Sequence, residues 1–327
     1  MNDQLGITRQ TIEKTIHGPG LDLAIGVGLP TFGETQILER VGGLGAAARH
    51  VEKLGLDSVW IPDVVIGDGT PSLEATVAVA AAAAVTSRIR VGFSVLVLPP
   101  RPLALTAAQI QSLQQMSGNR VLLGIGSGAF PDTPFWHASG APARGRGRRT
   151  DAALELLPSL IAGKSTRIAH GADQPALKLA PAVPVPPILI GGGASDVVLR
   201  RAASYGDGWF PSLIPPDGLA AGVARLRALA AEGGRPDRSV VVGVHLVPGN
   251  DSSARATRGA LVRELVATHG MTEEMAASVP VWGTSEQVAE RFAAYAGAGA
   301  DQIVVAPTRG DWTRRCEFVA EARALVR

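Results

Sequence analysis

What most constrains the fold of this chain is a rhythm. Short, near-continuously apolar runs alternate with helical stretches along almost its whole length. The runs read as strands over 22–31, 58–63, 90–98, 120–128, 188–193, 208–213, 239–247 and 302–307. Helices are expected over 38–55, 73–85, 102–117, 148–162, 195–205, 219–232 and 313–326. A longer helical segment over 254–297 should break near Gly270 and Pro280. Residues 163–187, rich in proline and small side chains, interrupt the rhythm and read as an insertion between strands four and five. A strand apolar at every position is buried on both faces, and parallel neighbours need long crossovers. Eight strand–helix pairs therefore predict an α/β protein, a (β/α)8 TIM barrel, with an extension over 1–20 and one domain over 21–327. The rival is a doubly wound sheet. Its dinucleotide fingerprint is missing, because GVGLPTFGE after the first strand has neither a close second glycine pair nor an immediate helix start.

Composition removes several classes of function. A hydrophobic share of 46% supplies a large core, and a net charge of +2 gives no reason to invoke nucleic acid. The single cysteine, Cys316, excludes an internal disulfide and a cysteine-based metal cluster. The longest apolar run, 75–85, is far short of the ~20 residues that span a bilayer. The N-terminus lacks an apolar signal region. A cytoplasmic protein, with neither a nucleic-acid nor a membrane partner, is expected. No histidine pair has metal-ligand spacing, and no glycine-flanked serine elbow is present.

In a barrel the active site lies at the C-terminal strand ends. The second strand ends at Asp63, which either accepts turn N–H groups or hydrogen-bonds a ligand. Ser94, followed by Val95, is a hydroxyl inside a very apolar strand and needs a partner. The fourth strand ends in Gly124-Ile125-Gly126-Ser127-Gly128, and the fifth in Gly191-Gly192-Gly193-Ala194-Ser195, running straight into a helix. That second turn is either close packing or an anion cradle made of exposed N–H groups. His245, within VVGVHLVP, is either a satisfied core residue or an acid/base facing the pocket. His137 sits beside Phe135 and Trp136 in an aromatic loop suited to a lid, the one group there that titrates near neutral pH. Arg144, Arg146, Arg148 and Arg149 form a solvated face or a clamp for an anionic tail.

Four stretches carry a resemblance: GLDSVW at 55–60, SRIRVGFSVLVLPPRPLALTAAQIQSLQQMSGNRVLLGIGSG at 87–128, PPILIGGGASDVVLRRAASYGDGWFP at 186–211, and GTSEQVAERFAAYAGAGADQIVV at 283–305. In this order they resemble the bacterial luciferase-like superfamily, particularly its flavin- and deazaflavin-dependent oxidoreductases. The resemblance implies an eight-stranded barrel with an insertion and a cofactor lying across the strand ends. Asp63 would touch the ring system, and Ser94-Val95 matches the family's non-prolyl cis peptide behind it. Ser127 and Gly128 would line the cofactor, Gly191, Gly192 and Gly193 would cradle its phosphate, and Ser212 would add a hydroxyl. FSVL at 93–96 looks more like the deazaflavin enzymes, which favours coenzyme F420 over FMN. The implied reaction is hydride transfer between reduced F420 and a small organic substrate. An FMN-dependent monooxygenase fed by a separate reductase, and a cofactor-binding protein without turnover, are the alternatives. The family also implies a homodimer. Two departures bear on the chemistry: Val64 replaces a histidine many relatives have after the strand-two aspartate, and Ala129 replaces the glutamate of some sugar-phosphate dehydrogenases. His137 is the replacement proton donor this reading selects. Phe32, Val64, Phe130 and Trp136 suggest an apolar substrate.

Overall fold

The computed structural model describes residues 23–168, 175–307 and 310–326. The extension expected over 1–20, together with His17 and His170, lies outside the described residues. The elements run β1 (Ala24–Gly28), α1 (Gln36–Arg40), α2 (Leu44–Lys53), β2 (Ser58–Ile61), α3 (Ala75–Val85), β3 (Arg90–Val97), α4 (Leu103–Ser117) and β4 (Val121–Gly126). They continue with α5 (Pro134–Ala138), α6 (Arg146–Ile161), β5 (Ile188–Gly191), α7 (Asp196–Tyr205), β6 (Gly208–Phe210), α8 (Pro216–Glu232) and β7 (Ser239–Pro248). Last come α9 (Ser252–His269), α10 (Glu273–Ser278), β8 (Val281–Gly283), α11 (Ser285–Gly297), β9 (Gln302–Pro307) and α12 (Trp312–Leu325).

The strands pair in parallel in the order β6-β5-β4-β3-β2-β1-β9-β7, and β6 pairs with β7 to close the ring. This is the expected eight-stranded barrel. Three local readings are corrected. The helix expected over 38–55 is two helices, α1 and α2, parted by Gly42 and Gly43, whose φ values of 82° and 94° fall outside the helical region. The segment 254–297 does break at Gly270, a left-handed C-cap, but it also holds the short strand β8, which extends β7 beyond the barrel. Three residues are too few to show a strand period inside a helical stretch. The loop after β4 contains the one-turn helix α5, capped by Thr133. In the insertion, the described residues form only one antiparallel bridge, Thr166 to Leu177.

Both strand faces are buried, as the apolar runs require. One set of side chains, including Ile25, Val27, Val59 and Ile303, packs under the helices, while Trp60, Leu122, Leu189, Phe210, Val241 and Val304 fill the barrel. Trp60 is the interior anchor. Its ring meets Phe210 edge-on at 5.0 Å, and its indole N–H donates to Ser58 Oγ at 2.7 Å. Gly26 and Gly92 are small because a Cβ at Gly92 would lie 2.4 Å from the Trp60 ring, and one at Gly26 would lie 2.0 Å from Ser58 Oγ.

The opposite, N-terminal rim is stapled by three aspartates that precede strands. Asp57 accepts the N–H of Ile25 at 2.7 Å, Asp207 that of Ile188 at 2.9 Å, and Asp301 that of Val240 at 2.7 Å. Each ties the start of one strand to the start of its neighbour and so fixes register where the site is not.

Candidate active site

The site is built where β3, β4 and β5 end. The Ser94–Val95 peptide is cis, at the place the resemblance implied, and the β3–β4 register shifts between Phe93 and Leu96. Val95 joins the barrel interior, and the neighbouring glycines make room for it. A Cβ at Gly126 would come within 2.6 Å of a Val95 methyl, and one at Gly191 within 2.8 Å. These two glycines are therefore explained by the chain's own valine. Gly128, with φ of 88°, yields space to Trp136 in the same way. The Ser94 hydroxyl has no protein partner among the described residues.

The turn after β5 differs. At Gly193 a Cβ would meet nothing within 4 Å, so the backbone there is open. Gly192 spends its carbonyl on the Trp209 indole at 3.0 Å and its N–H on the carbonyl of Phe210. The turn leads into α7, whose N-cap, Ser195, makes no side-chain cap bond, leaving the first N–H groups of the helix available. Asp196 in that first turn does not block an anion. Arg225 takes its carboxylate at 2.8 and 2.9 Å and, with Arg200, holds its pKa down at about 2. Ser212 lies beside β7, bridged to Gly243.

Arg146 opens α6 and donates its Nε to the carbonyl of Gly128 at 3.2 Å, which brings a guanidinium to the end of β4. Arg149 instead turns back on its own loop, donating to the carbonyls of Arg144 and Pro142. The arginine run is thus neither all solvated face nor all clamp: Arg146 is the member placed at the site.

Asp63 is held differently from a ligand-facing carboxylate. Its Oδ2 accepts the Val97 N–H at 2.9 Å and Arg101 Nε at 3.2 Å, and its Oδ1 accepts Arg101 Nη2 at 2.8 Å. Arg101 also donates to Glu74 at 2.9 Å. Burial works to lower the pKa of Arg101, but the Asp63 and Glu74 carboxylates outweigh it and raise it. The trio ties β2 to the end of β3. Arg101 and Glu74 had no distinguishing signal in the sequence, because a single arginine after a strand has no period and no motif.

His137 is exposed on α5, with no side-chain hydrogen bond to the described residues. Trp136, its neighbour, is the buried residue of the lid, donating to the carbonyl of Ala141 at 2.8 Å. Phe32, Phe130 and Phe135 are the exposed aromatics of these loops. The inward face of β7 reads Val241, Gly243, His245, which places His245 at the barrel mouth.

A groove of about 1080 Å³ lies beside the mouth between α1 and α12. None of the strand-end candidates lines it. Glu34, Asp311, Glu317 and Glu321 outnumber Arg40 and Arg314 there, which suits no phosphate. Among the described residues, no cluster of histidine, cysteine and carboxylate side chains can hold a metal ion. No described helix is long and apolar enough to cross a membrane.

The model of the luciferase-like monooxygenase family matches residues 25–302. The chain belongs to that family. Relatives include an uncharacterised protein of Mycobacterium tuberculosis (strain ATCC 25618 / H37Rv), 43% identical over 210 residues, 58% of this chain and 71% of the relative. The 4-hydroxyprotoasukamycin monooxygenase of Streptomyces nodosus subsp. asukaensis is 28% identical over 223 residues, 63% of this chain and 59% of that enzyme. Among solved structures, an F420-dependent secondary alcohol dehydrogenase in complex with an F420-acetone adduct aligns with a TM-score of 0.76. Its sequence identity is 18%, covering 94% of this chain and 100% of that one. A riboflavin lyase with modified FMN and substrate riboflavin aligns with a TM-score of 0.74 at 17% identity, covering 93% of this chain and 91% of that one. At these identities the structures share the luciferase-like fold with this chain.

Proposed function

We propose that this chain is an F420-dependent oxidoreductase that transfers a hydride between the deazaflavin and a small, apolar organic substrate. The observation that supports it most is the pairing of two features at adjacent strand ends. Val95, seated against Gly126 and Gly191, gives an apolar back for a flat ring, and the open Gly193 turn with the uncapped α7 N-terminus gives a cradle for an anionic tail. The residues fit a planar, phosphate-bearing cofactor on three further counts. The Ser94 hydroxyl has no partner among the described residues, Arg146 adds positive charge beside Ser127 and Gly128, and Ser212 adds a hydroxyl near the mouth. When bound, F420 would supply the hydride chemistry. The protein would hold the ring over Val95, exclude water with the Trp136 loop and orient the substrate among Phe32, Phe130 and Phe135. Asp63, engaged by Arg101 and Val97, would set the end of β3 instead of touching the ring.

The reading extends to assembly and setting. The α3 helix is apolar on every side and leaves Val77 69% exposed and Val85 38% exposed, a face suited to a second copy of the chain. A cytoplasmic homodimer acting on a small molecule, without nucleic-acid or membrane partners, is the proposed state. The FMN reading, with a separate reductase, draws its support from the 28% identity to a monooxygenase. The test is anaerobic and in both directions: reduced F420 with cyclic and aryl ketones, imines and activated alkenes, and oxidised F420 with cyclohexanol and benzyl alcohol. Saturable, enzyme-dependent change of the F420 absorbance is expected with at least one compound. Turnover only with reduced FMN and oxygen would overturn it.

A further inference from the structure

The strand ends that face into the barrel present Gly28, Gly126, Gly191, Ser212, His245 and Ala306 around the mouth. His245 is the titratable member of this set. It is half-buried, and its Nδ1 is sealed from solvent with no hydrogen-bond partner. Its Nε2 is not sealed and has no hydrogen-bond partner among the described residues. A satisfied core histidine would have spent at least its sealed nitrogen on a carbonyl or carboxylate, since an unpaired buried polar atom costs free energy. Among the described neighbours no side chain supplies one: Ala306 stands beside it on β9, and Gly243 lies below it on β7. Val247, next on the same face, packs with Leu261 and Leu265, so α9 roofs this side of the mouth. The charged groups that reach His245 come from that helix, Glu264 and His269. Arg315 of α12 touches the strand from its other face, at the carbonyl of Leu246. Burial, first, and His269 lower the pKa of His245 against the opposing pull of Glu264, which favours the neutral ring.

We propose that His245 is the proton-transfer residue of this site. The inference rests on the hydride-transfer reading and moves to His245 the proton-donor role that the sequence assigned to His137. As a carbinol substrate is oxidised, its O–H bond breaks and the proton passes to the Nε2 lone pair. Bound oxidised F420 would accept the C–H electron pair as hydride, leaving the carbonyl. The imidazolium then returns its proton to solvent. In reduction the imidazolium would donate its proton to the carbonyl oxygen as the carbonyl carbon takes the hydride.

Residue-resolved carbethoxylation with diethyl pyrocarbonate tests the placement without any substrate. His245 should react with a pH midpoint below 6.5, and saturating oxidised F420 should slow that reaction at least tenfold while leaving exposed His137 unaffected. An inert His245, or one that reacts equally fast in the F420-loaded protein, overturns the inference. Turnover tests the chemistry. On a carbinol that the wild type oxidises, His245→Gln should lose on the order of 100-fold in rate. It should bind F420 within threefold of wild type and lose the fall in rate seen at acid pH. A variant with wild-type rate and pH profile also overturns it. Failure of the wild type to bind F420 at all would instead remove the hydride-transfer reading itself.

Discussion

His245 and Asp63 show how a polar side chain at the site takes its meaning from its partners. The histidine has lost its water and gained no hydrogen bond, so its folded-state pKa is lowered. Below the ordinary value of 6.5 the unfolded chain therefore binds more protons than the folded one, and stability falls with pH in that range. Thermal melts between pH 7 and pH 5 should show wild type losing more stability than His245→Gln, and parallel curves would contradict the lowered pKa. Asp63, in contrast, has both oxygens engaged in hydrogen bonds and its side chain 6% exposed. Arg101→Met should leave that carboxylate buried and unpaired, costing about 3 kcal/mol in chemical denaturation. The sequence placed both residues at strand ends but not their orientation. In a strand apolar on both faces, alternation fixes which residues share a face and leaves open which face is inside. Only the ring of neighbours decides that, and it sends His245 inward. His137 was selected because it titrates within an aromatic loop, whereas the residue that packs there is Trp136.

At the scale of elements, the two rims of the barrel do different work. The N-terminal rim is held by Asp57, Asp207 and Asp301, each accepting an N–H from the first or second residue of a neighbouring strand. Glu52 makes a related tie, accepting the N–H groups of Ser87, Arg88 and Ile89. Burial works to raise the pKa of Glu52, and the three N–H groups outweigh it and hold it below 4.5. Its contribution is therefore present above pH 4.5 and lost as pH falls through the lowered value. Asp301→Ala should cost about 2 kcal/mol of stability by removing a charged acceptor from an inward N–H. Cofactor affinity should not change; an equal loss of affinity would mean the two rims are coupled. The C-terminal rim answers differently. Gly191→Ala places a methyl 2.8 Å from Val95 and should weaken cofactor binding more than it lowers stability. The glycine-rich strand ends were legible as a site. That Gly126 and Gly191 serve Val95, while Gly193 stays open, was not, since a glycine in a sequence does not name what approaches it.

Across the whole molecule, the barrel was legible because its parts repeat. Eight apolar runs with helices between them determine a closed parallel ring almost without regard to any single side chain. What escaped were the non-repeating pieces: the gap between α1 and α2, the three-residue β8, and α5 within the lid loop. The proposed homodimer belongs to this scale. Val77→Glu on the exposed side of α3 should shift sedimentation from dimer to monomer, and an unchanged dimer would move the interface elsewhere. The central claim concerns the mouth of the barrel, and a titration of the purified, cofactor-free protein with F420 and FMN in parallel tests it most directly. The account predicts micromolar or tighter binding of F420 with FMN at least tenfold weaker, and loss of that binding on Gly193→Val. Preference for FMN would contradict the cofactor assignment, and binding of neither would contradict the site.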